Sequence, residues 1–218
     1  MNAVVHLRQT FRPVTDWLVP LMNELKTNAL ASSSAKDEQL ARNQFWFRQI
    51  LRSQRRDKTC LPHFLGLSTS EFHWMAAGKR YRLYDELLHD TEAERERQAS
   101  DLRQQLLEMR LDEWEELRNL LLGHRANNDD SEVAMASVVA AGCLGGGHLW
   151  RDLGLVSRQE LNDLLSANFP ALAARNDRDM KWKKFFYKQL CELGGGYVCR
   201  APSCDQCSAY SDCFGPET

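Results

Sequence analysis

The stretch TEAERERQASDLRQQLLEMRLDEWEELRNLLL, residues 91–122, decides the fold class of this chain. Its second half carries an apolar side chain at every third or fourth position among charged residues, which is the pattern of one buried face on an amphipathic helix. The side chains on this face are Leu107, Leu111, Trp114, Leu117 and Leu121. Strand-like alternation of Val, Ile and Thr is nearly absent from the chain. We therefore predict an all-α fold, a compact helical domain.

Two further helices are predicted on the N-terminal side of this stretch. The first covers residues 12–25, with a proline near its start, and the second covers residues 38–52. The apolar residues that indicate the second helix are Leu40, Phe45, Phe47, Ile50 and Leu51. Between the two helices, the run Ala-Ser-Ser-Ser-Ala-Lys at residues 31–36 predicts a loop. The basic run at residues 52–58 could contact phosphate, but it also suits a solvated helix end.

The composition excludes several classes of protein. With 218 residues, 43% hydrophobic and 27% charged, the chain is long enough to bury a core and is typical of a soluble globular protein. Its net charge of -2 gives no overall attraction to nucleic acid or to an anionic membrane. The longest weakly polar stretch, residues 133–147, is shorter than the roughly 20 residues of a membrane helix. The first residues show no secretory signal, so we expect a cytoplasmic protein.

A polar, aperiodic run, Asn-Asn-Asp-Asp-Ser at residues 127–131, is predicted to be a linker. It separates a helical N-terminal region, residues 1–126, from a C-terminal region, residues 132–218, although the two could form one continuous domain. A loose duplication occurs on both sides of this run, beginning at Cys60 and at Cys143. Each copy contains a Cys-Leu pair, a His, a Leu-Gly-Leu turn and a Ser-x-x-Glu capping box, which predicts the start of a helix.

Four cysteines close to the C-terminus form the motif C-x4-C-x2-C-x5-C. They are Cys199, Cys204, Cys207 and Cys213. A C-x2-C pair puts two thiolates on one side of a turn, and the flanking loops let the outer two fold back, so the four predict a site for zinc or for an iron–sulfur cluster. Structural zinc sites usually use two separate C-x2-C pairs, and the single pair here favours a cluster. The glycines at residues 194–196 would let N–H groups approach cluster sulfides, or they merely end a helix.

A basic helix leads into these cysteines. Asn176 is predicted to cap it, and Lys181, Lys184 and Lys188 share one face. Six basic residues between positions 178 and 200 oppose two acidic ones, a balance that suits an oxyanion or an acidic partner but also a solvated lysine face.

The strongest candidate ligand outside the cysteine motif is His148, which follows three glycines at residues 145–147. Imidazole suits transition metals and the glycines free the local backbone, although a lone histidine can also be structural. Cys143 is a weaker candidate ligand. Cys60 and Cys191 are predicted to be core thiols.

Several separate motifs resemble the NifQ family. They are Cys143-Leu144, His148-Leu149-Trp150-x-Asp152-Leu153-Gly154-Leu155, Phe169-Pro170-Ala171-Leu172-Ala173, Asn176-x-x-Asp179-Met180-Lys181-Trp182-Lys183-Lys184-Phe185-Phe186, and the four-cysteine motif closing with Cys213-Phe214-Gly215-Pro216. The resemblance runs from about residue 132 to the C-terminus, and the four cysteines correspond one for one with the family's cysteine motif.

The resemblance implies a molybdenum carrier of nitrogen-fixing bacteria, not an enzyme. Such a protein holds a molybdenum–iron–sulfur cluster of the Mo–Fe3–S4 type, or a simpler iron–sulfur cluster, and supplies molybdenum for assembly of the nitrogenase iron–molybdenum cofactor. Its expected partners are molybdate or a molybdenum donor, the NifEN cofactor scaffold and the nitrogenase iron protein. The cluster would be held by the four cysteines, with His148, Lys181 and Lys184 as further cofactor-binding residues.

Two alternatives come from other classes of protein. A helical DNA-repair glycosylase has a similar four-cysteine loop, but it needs a phosphate-binding hairpin and a strongly basic surface, which this chain lacks. A zinc-stabilised adaptor without chemistry also fits four cysteines. No nucleophile–base arrangement, P-loop or dinucleotide-binding fingerprint is present in the sequence, so no catalytic residues are predicted.

Overall fold

The computed structural model describes residues 15–77, 93–194 and 210–215, with side chains for residues 34–75, 101–194 and 210–215. Every regular element in these ranges is a helix, which confirms the all-α class. The ten helices of the described residues are α1 (Thr15–Gln54), α2 (Thr69–Ala77), α3 (Ala93–Met109), α4 (Leu111–Leu122), α5 (Asp130–Cys143), α6 (Leu149–Asp152), α7 (Arg158–Asn168), α8 (Pro170–Ala173), α9 (Trp182–Leu193) and α10 (Tyr210–Phe214). Within the described residues, no helix combines the length and the apolar character that crossing a membrane requires.

The first helix is longer than the sequence predicts. The predicted loop at residues 31–36 is wrong, because α1 continues through it. The run contains neither Gly nor Pro, and its Ala and Lys residues are good helix formers. The chain divides after Glu38 into two units, and the packing described below belongs to the second, residues 39–218.

Part of α1 buries polar side chains. Asn43 is fully buried and donates from Nδ2 to Ser131 Oγ at 2.9 Å. Gln39, also buried, donates from Nε2 to Asn168 Oδ1 at 3.2 Å. Phe45, one of the apolar residues that indicate this helix, is 61% exposed. The inward face of the helix is therefore set by long-range hydrogen bonds as well as by apolar residues.

The helix α5 lies at the centre of the core. Twelve of its fourteen residues are buried, and it packs most extensively against α4. Residues 127–131, predicted to be a linker, form its capped start. Asp129 accepts from Ser131 N at 2.9 Å, and the buried Glu132 carboxylate accepts from Asp129 N at 3.1 Å. This reciprocal capping box satisfies the N–H groups that a helix start leaves without helical partners.

The predicted helix across residues 91–122 is broken. It forms two helices, α3 and α4, which meet at Arg110, where φ is -120° and ψ is 31°. On the C-terminal side of the break Leu117 and Leu121 are buried as predicted, whereas Leu111 is 43% exposed. The break turns the Arg110 guanidinium towards the chain after α5, where it donates to Leu144 O at 2.7 Å.

Both Leu-Gly-Leu turns of the loose duplication have a glycine with positive φ, 82° at Gly66 and 71° at Gly154. A side chain is strained in this conformation, so each turn needs glycine. The Ser68–Glu71 capping box is confirmed in both directions, at 2.9 and 3.2 Å. In the second copy Glu160 N donates to Ser157 Oγ at 3.2 Å, but the Glu160 carboxylate accepts from Val156 N instead of completing the box.

Candidate metal-cluster site

The basic helix α9 begins at Trp182, five residues later than the Asn176 cap predicts. Asn176 caps a turn instead, because its side chain binds both the N–H and the carbonyl of Met180 at 2.8 Å. Asp179 within this turn has φ 54°, which interrupts any helix. Such local bonds from an asparagine side chain compete with helical ones. Arg158 of α7 binds this turn, because its guanidinium donates to Asp179 Oδ1 at 2.7 Å.

The last predicted cluster ligand lies against the start of α9. Lys181 donates from its backbone N–H to Cys213 O at 2.7 Å and from Nζ to Ser211 O at 3.1 Å. The Arg178 guanidinium lies over the Phe214 ring, 5.5 Å from its centre. These contacts hold the short helix α10 on the turn before α9. Lys181 and Cys213, predicted separately from the sequence, are therefore neighbours.

The other basic side chains of α9 differ in their surroundings. Lys184 is exposed. Lys188 pairs with Glu192 at 3.3 Å, four residues further along the same helix. Lys183 is largely buried and forms an ion pair with Asp152 of α6. Since Lys183 is neutralised inside the protein, it does not belong to the solvent-facing lysines that could attract an anion.

His148 lies at the end of the segment that joins α5 to α6, residues 144–148, which we call the glycine loop. It takes the N-cap position of α6, with φ -73° and ψ 142°, and its side chain makes no cap hydrogen bond. Asp152 Oδ2 accepts from Gly147 N at 2.9 Å, and Asp152 N donates to His148 O at 2.9 Å. Asp152 thus binds the backbone on both sides of the candidate ligand.

The glycines of this loop are needed for close approach and not for an unusual backbone conformation. A Cβ at Gly145 would lie 2.5 Å from Cys60 Sγ and 2.7 Å from Asp152 Cγ. A Cβ at Gly146 would have nothing within 4 Å. A Cβ at Gly147 would lie 3.0 Å from Asp152 Oδ1. The first position therefore demands glycine most strictly, the third is tight, and the second has room for a side chain.

A second polar cluster supports the start of the glycine loop. Arg110 forms two hydrogen bonds to the Glu113 carboxylate, each 2.7 Å, while it holds Leu144 O. Tyr187 of α9 donates from its hydroxyl to the same carboxylate. The hydrogen bonds from Arg110 hold the pKa of Glu113 below its ordinary value, despite partial burial. Burial and the bond to Glu113 raise the pKa of Tyr187.

The thiols outside the cysteine motif have distinct surroundings. Burial, and then the nearby Asp152 carboxylate, raise the pKa of Cys60 to about 11, and burial raises the pKa of Cys143 to about 12. In metal-free protein both thiols therefore stay protonated near neutral pH. Cys191, predicted to be a core thiol, is exposed.

Only part of the predicted site is visible in the described residues. Cys199, Cys204, Cys207 and the glycines at 195–196 lie outside them. Among the residues that are described, no group of three His, Cys, Asp or Glu side chains could hold a metal ion. The predicted site residues that are described are Cys213, His148, Lys181 and Lys184. The start of α9 contacts two of these regions, because Lys181 binds the helix that contains Cys213 and Lys183 binds the glycine loop before His148.

Sequence reasoning missed Asp152, Lys183 and Arg110. Asp152 and Lys183 stand inside motifs that carry the family resemblance, but no spacing pairs residue 152 with residue 183. Arg110 lies within a predicted continuous helix, where nothing marks a break.

Comparisons with known proteins agree with the motifs. The NifQ family model matches residues 46–215, so the match extends further towards the N-terminus than residue 132, where the resemblance of the motifs begins. The NifQ protein of Azotobacter vinelandii is 54% identical over 182 residues, which are 80% of this chain and 89% of that protein. The NifQ protein of Klebsiella pneumoniae is 37% identical over 170 residues, 78% of this chain and 96% of that protein. No solved structure matches the chain. The chain therefore belongs to the NifQ family.

Proposed function

We propose that this protein is a carrier that holds a molybdenum–iron–sulfur cluster and supplies molybdenum for assembly of the nitrogenase iron–molybdenum cofactor. The observation that carries the proposal is the pair of hydrogen bonds by which Lys181 holds the Cys213 helix, in a chain of this family. Lys181 N donates to Cys213 O at 2.7 Å, and Lys181 Nζ donates to Ser211 O at 3.1 Å. These bonds join a cation to the end of the four-cysteine motif. A site that takes up an anionic metal and keeps it on sulfur needs both groups together.

The two described ends of the cysteine segment support this reading. The chain leaves α9 at Gly194, and α10 lies at the opposite end of that helix, against Lys181. A helix of twelve residues is about 18 Å long. A fully extended segment from residue 194 to 210 could reach roughly 50 Å. The cysteines at 199, 204 and 207 thus have enough chain to converge on Cys213.

The roles of the site residues follow from their chemistry. The four thiolates would bind the irons of the cluster. A three-iron cluster has a vacant corner that molybdenum could occupy, and the imidazole of His148 suits that metal as a further ligand. Lys181 and the exposed Lys184 would attract molybdate, because it is a dianion.

The proposed partners are molybdate or another molybdenum donor on the supply side, and the NifEN scaffold and the nitrogenase iron protein on the acceptor side. A carrier exchanges cargo through an accessible edge, and Lys184 lies exposed on the helix next to the cluster segment. Exposed cations of this kind change association rates and their salt dependence more than the stability of the carrier.

Metal content after anaerobic purification tests the proposal. Replacing Cys199, Cys204, Cys207 or Cys213 by Ser should lower the iron content and the molybdenum content together, because an iron–sulfur cluster depends on its thiolates. Cys191→Ser is the matched control, since that thiol is exposed and lies outside the motif, and it should leave both metals unchanged. Stoichiometric zinc without iron would overturn the cluster and favour the zinc-stabilised adaptor.

A further inference from the structure

Asp152 holds the glycine loop in place through hydrogen bonds. Its carboxylate accepts from Gly147 N, and its backbone N–H donates to His148 O, each at 2.9 Å. Its backbone carbonyl accepts from Cys60 N at 3.0 Å. The same residue therefore fixes the peptide groups before and after His148 and anchors them to the segment that follows α1.

Lys183 completes this arrangement from another helix. Its Nζ donates to Gly145 O at 2.7 Å and pairs with the Asp152 carboxylate. The two side chains are only 15% and 13% exposed. A charge-assisted pair this sheltered from water is held in one geometry, whereas the exposed Lys188–Glu192 pair is free to exchange with solvent.

A loop with three consecutive glycines cannot hold its own conformation. Glycine has the largest backbone freedom of any residue, and these glycines offer no side chains for packing. Fixing the loop therefore depends on bonds to its peptide groups. Its first two N–H groups, of Leu144 and Gly145, donate to carbonyls at the end of α5, and the side-chain bonds come from Arg110, Lys183 and Asp152. The position of the His148 imidazole, which follows the glycines, therefore depends on these bonds.

We propose that Asp152 and Lys183 are positioning residues that orient His148 towards the molybdenum of the cluster and tie it to the helix that leads into the cysteine motif. The inference rests on the proposed function, in which His148 binds that metal. It assigns Lys183 a role distinct from that of Lys181 and Lys184: it holds the loop and does not attract the anion. A metal ligand needs such outer support to keep its geometry.

The test compares Lys183→Met with Glu192→Gln, which removes the charge from an exposed pair on the same helix. In metal-free protein, NMR should show exchange of the Gly147 amide about tenfold faster in Lys183→Met and unchanged in Glu192→Gln. In anaerobically loaded protein, Lys183→Met should keep its iron but lose at least about half of its molybdenum, because only the heterometal depends on His148. Lys183→Arg, which keeps a cation with N–H donors, should retain more molybdenum than Lys183→Met.

The double variant His148→Ala with Lys183→Met separates positioning from general damage. If the pair acts through His148, the double variant should lose no more molybdenum than His148→Ala alone. Should Lys183→Met fail the circular dichroism check for folding, Asp152→Asn has nearly the same shape and replaces it in every comparison. Molybdenum per iron equal to wild type in the folded variant would overturn the proposal, as would losses that add in the double variant. Wild-type protein that takes up neither iron nor molybdenum would instead overturn the proposed function.

Discussion

Gly145 stands where the glycine loop, the Cys60 thiol and the Asp152 carboxylate meet, and Gly145→Ala should destabilise the protein strongly. The new methyl group would lie 2.5 Å from Cys60 Sγ and 2.7 Å from Asp152 Cγ. Neither neighbour is the free end of a long side chain, so the loop itself must move. That movement stretches the 2.7 Å bond from Lys183 to Gly145 O.

The size of the effect follows from these contacts. Overpacking of this kind costs about 1–3 kcal/mol, and a weakened hydrogen bond to a charged group adds about 1.5–3 kcal/mol. Alanine recovers about 0.5–1 kcal/mol by restricting the unfolded chain. We therefore expect a loss of about 3 kcal/mol in the free energy of unfolding, measured by urea titration of metal-free protein in reducing buffer and followed by circular dichroism.

Gly146→Ala is the matched control, because a Cβ at that position has nothing within 4 Å. It should change the free energy of unfolding by no more than about 1 kcal/mol, and in the stabilising direction. Adding Cys60→Ala to Gly145→Ala removes the sulfur from the clash and should recover part of the loss. The steric argument is refuted if Gly145→Ala unfolds within about 1 kcal/mol of the Gly146→Ala protein.

Two further predictions concern the buried thiols and the role of the protein as a carrier. Because burial raises the pKa of Cys143 from 9.0 to about 12, the folded state keeps a proton that the unfolded state releases. The free energy of unfolding should then fall by about 1.4 kcal/mol per pH unit above roughly pH 9. Below that pH both states keep the proton, and this thiol makes the free energy of unfolding no more dependent on pH. Urea titrations at several pH values should show a shallower fall in Cys143→Ala. A carrier only raises the local supply of its cargo, so a deletion strain should fix nitrogen poorly at scarce molybdate and recover when molybdate is raised, measured by acetylene reduction. A defect that persists at abundant molybdate would instead indicate a catalytic or scaffolding role.

Local signals in the sequence predicted several features correctly. The helical class and the Ser68–Glu71 capping box depend on residues within one or two turns of each other, and the structure confirms both. The burial of Leu117 and Leu121 follows from helical spacing alone. Short-range geometry is enough for such features, since the groups that decide them are already neighbours along the chain.

Features that depend on distant partners could not be predicted from local signals. Phe45 is exposed while Asn43 is buried, because the partner of Asn43 is Ser131, 88 residues away. The helix break at Arg110 places its guanidinium on Leu144 O, 34 residues away. A hydrophobic pattern carries no information about which buried polar groups will find each other.

The sequence by itself determined the helical class, the family motifs and the four cysteines with a basic helix before them, since each is written in the types and spacing of neighbouring residues. Only the tertiary structure decided which of the lysines is buried and which loop it holds. Lys183 meets Asp152, 31 residues earlier, because α9 and α6 are brought together by the packing of the core. The close approach of Cys60 to Gly145 is another long-range contact of this kind. Such contacts form between chain segments that share no local pattern, so they exist only once the whole fold has placed them side by side.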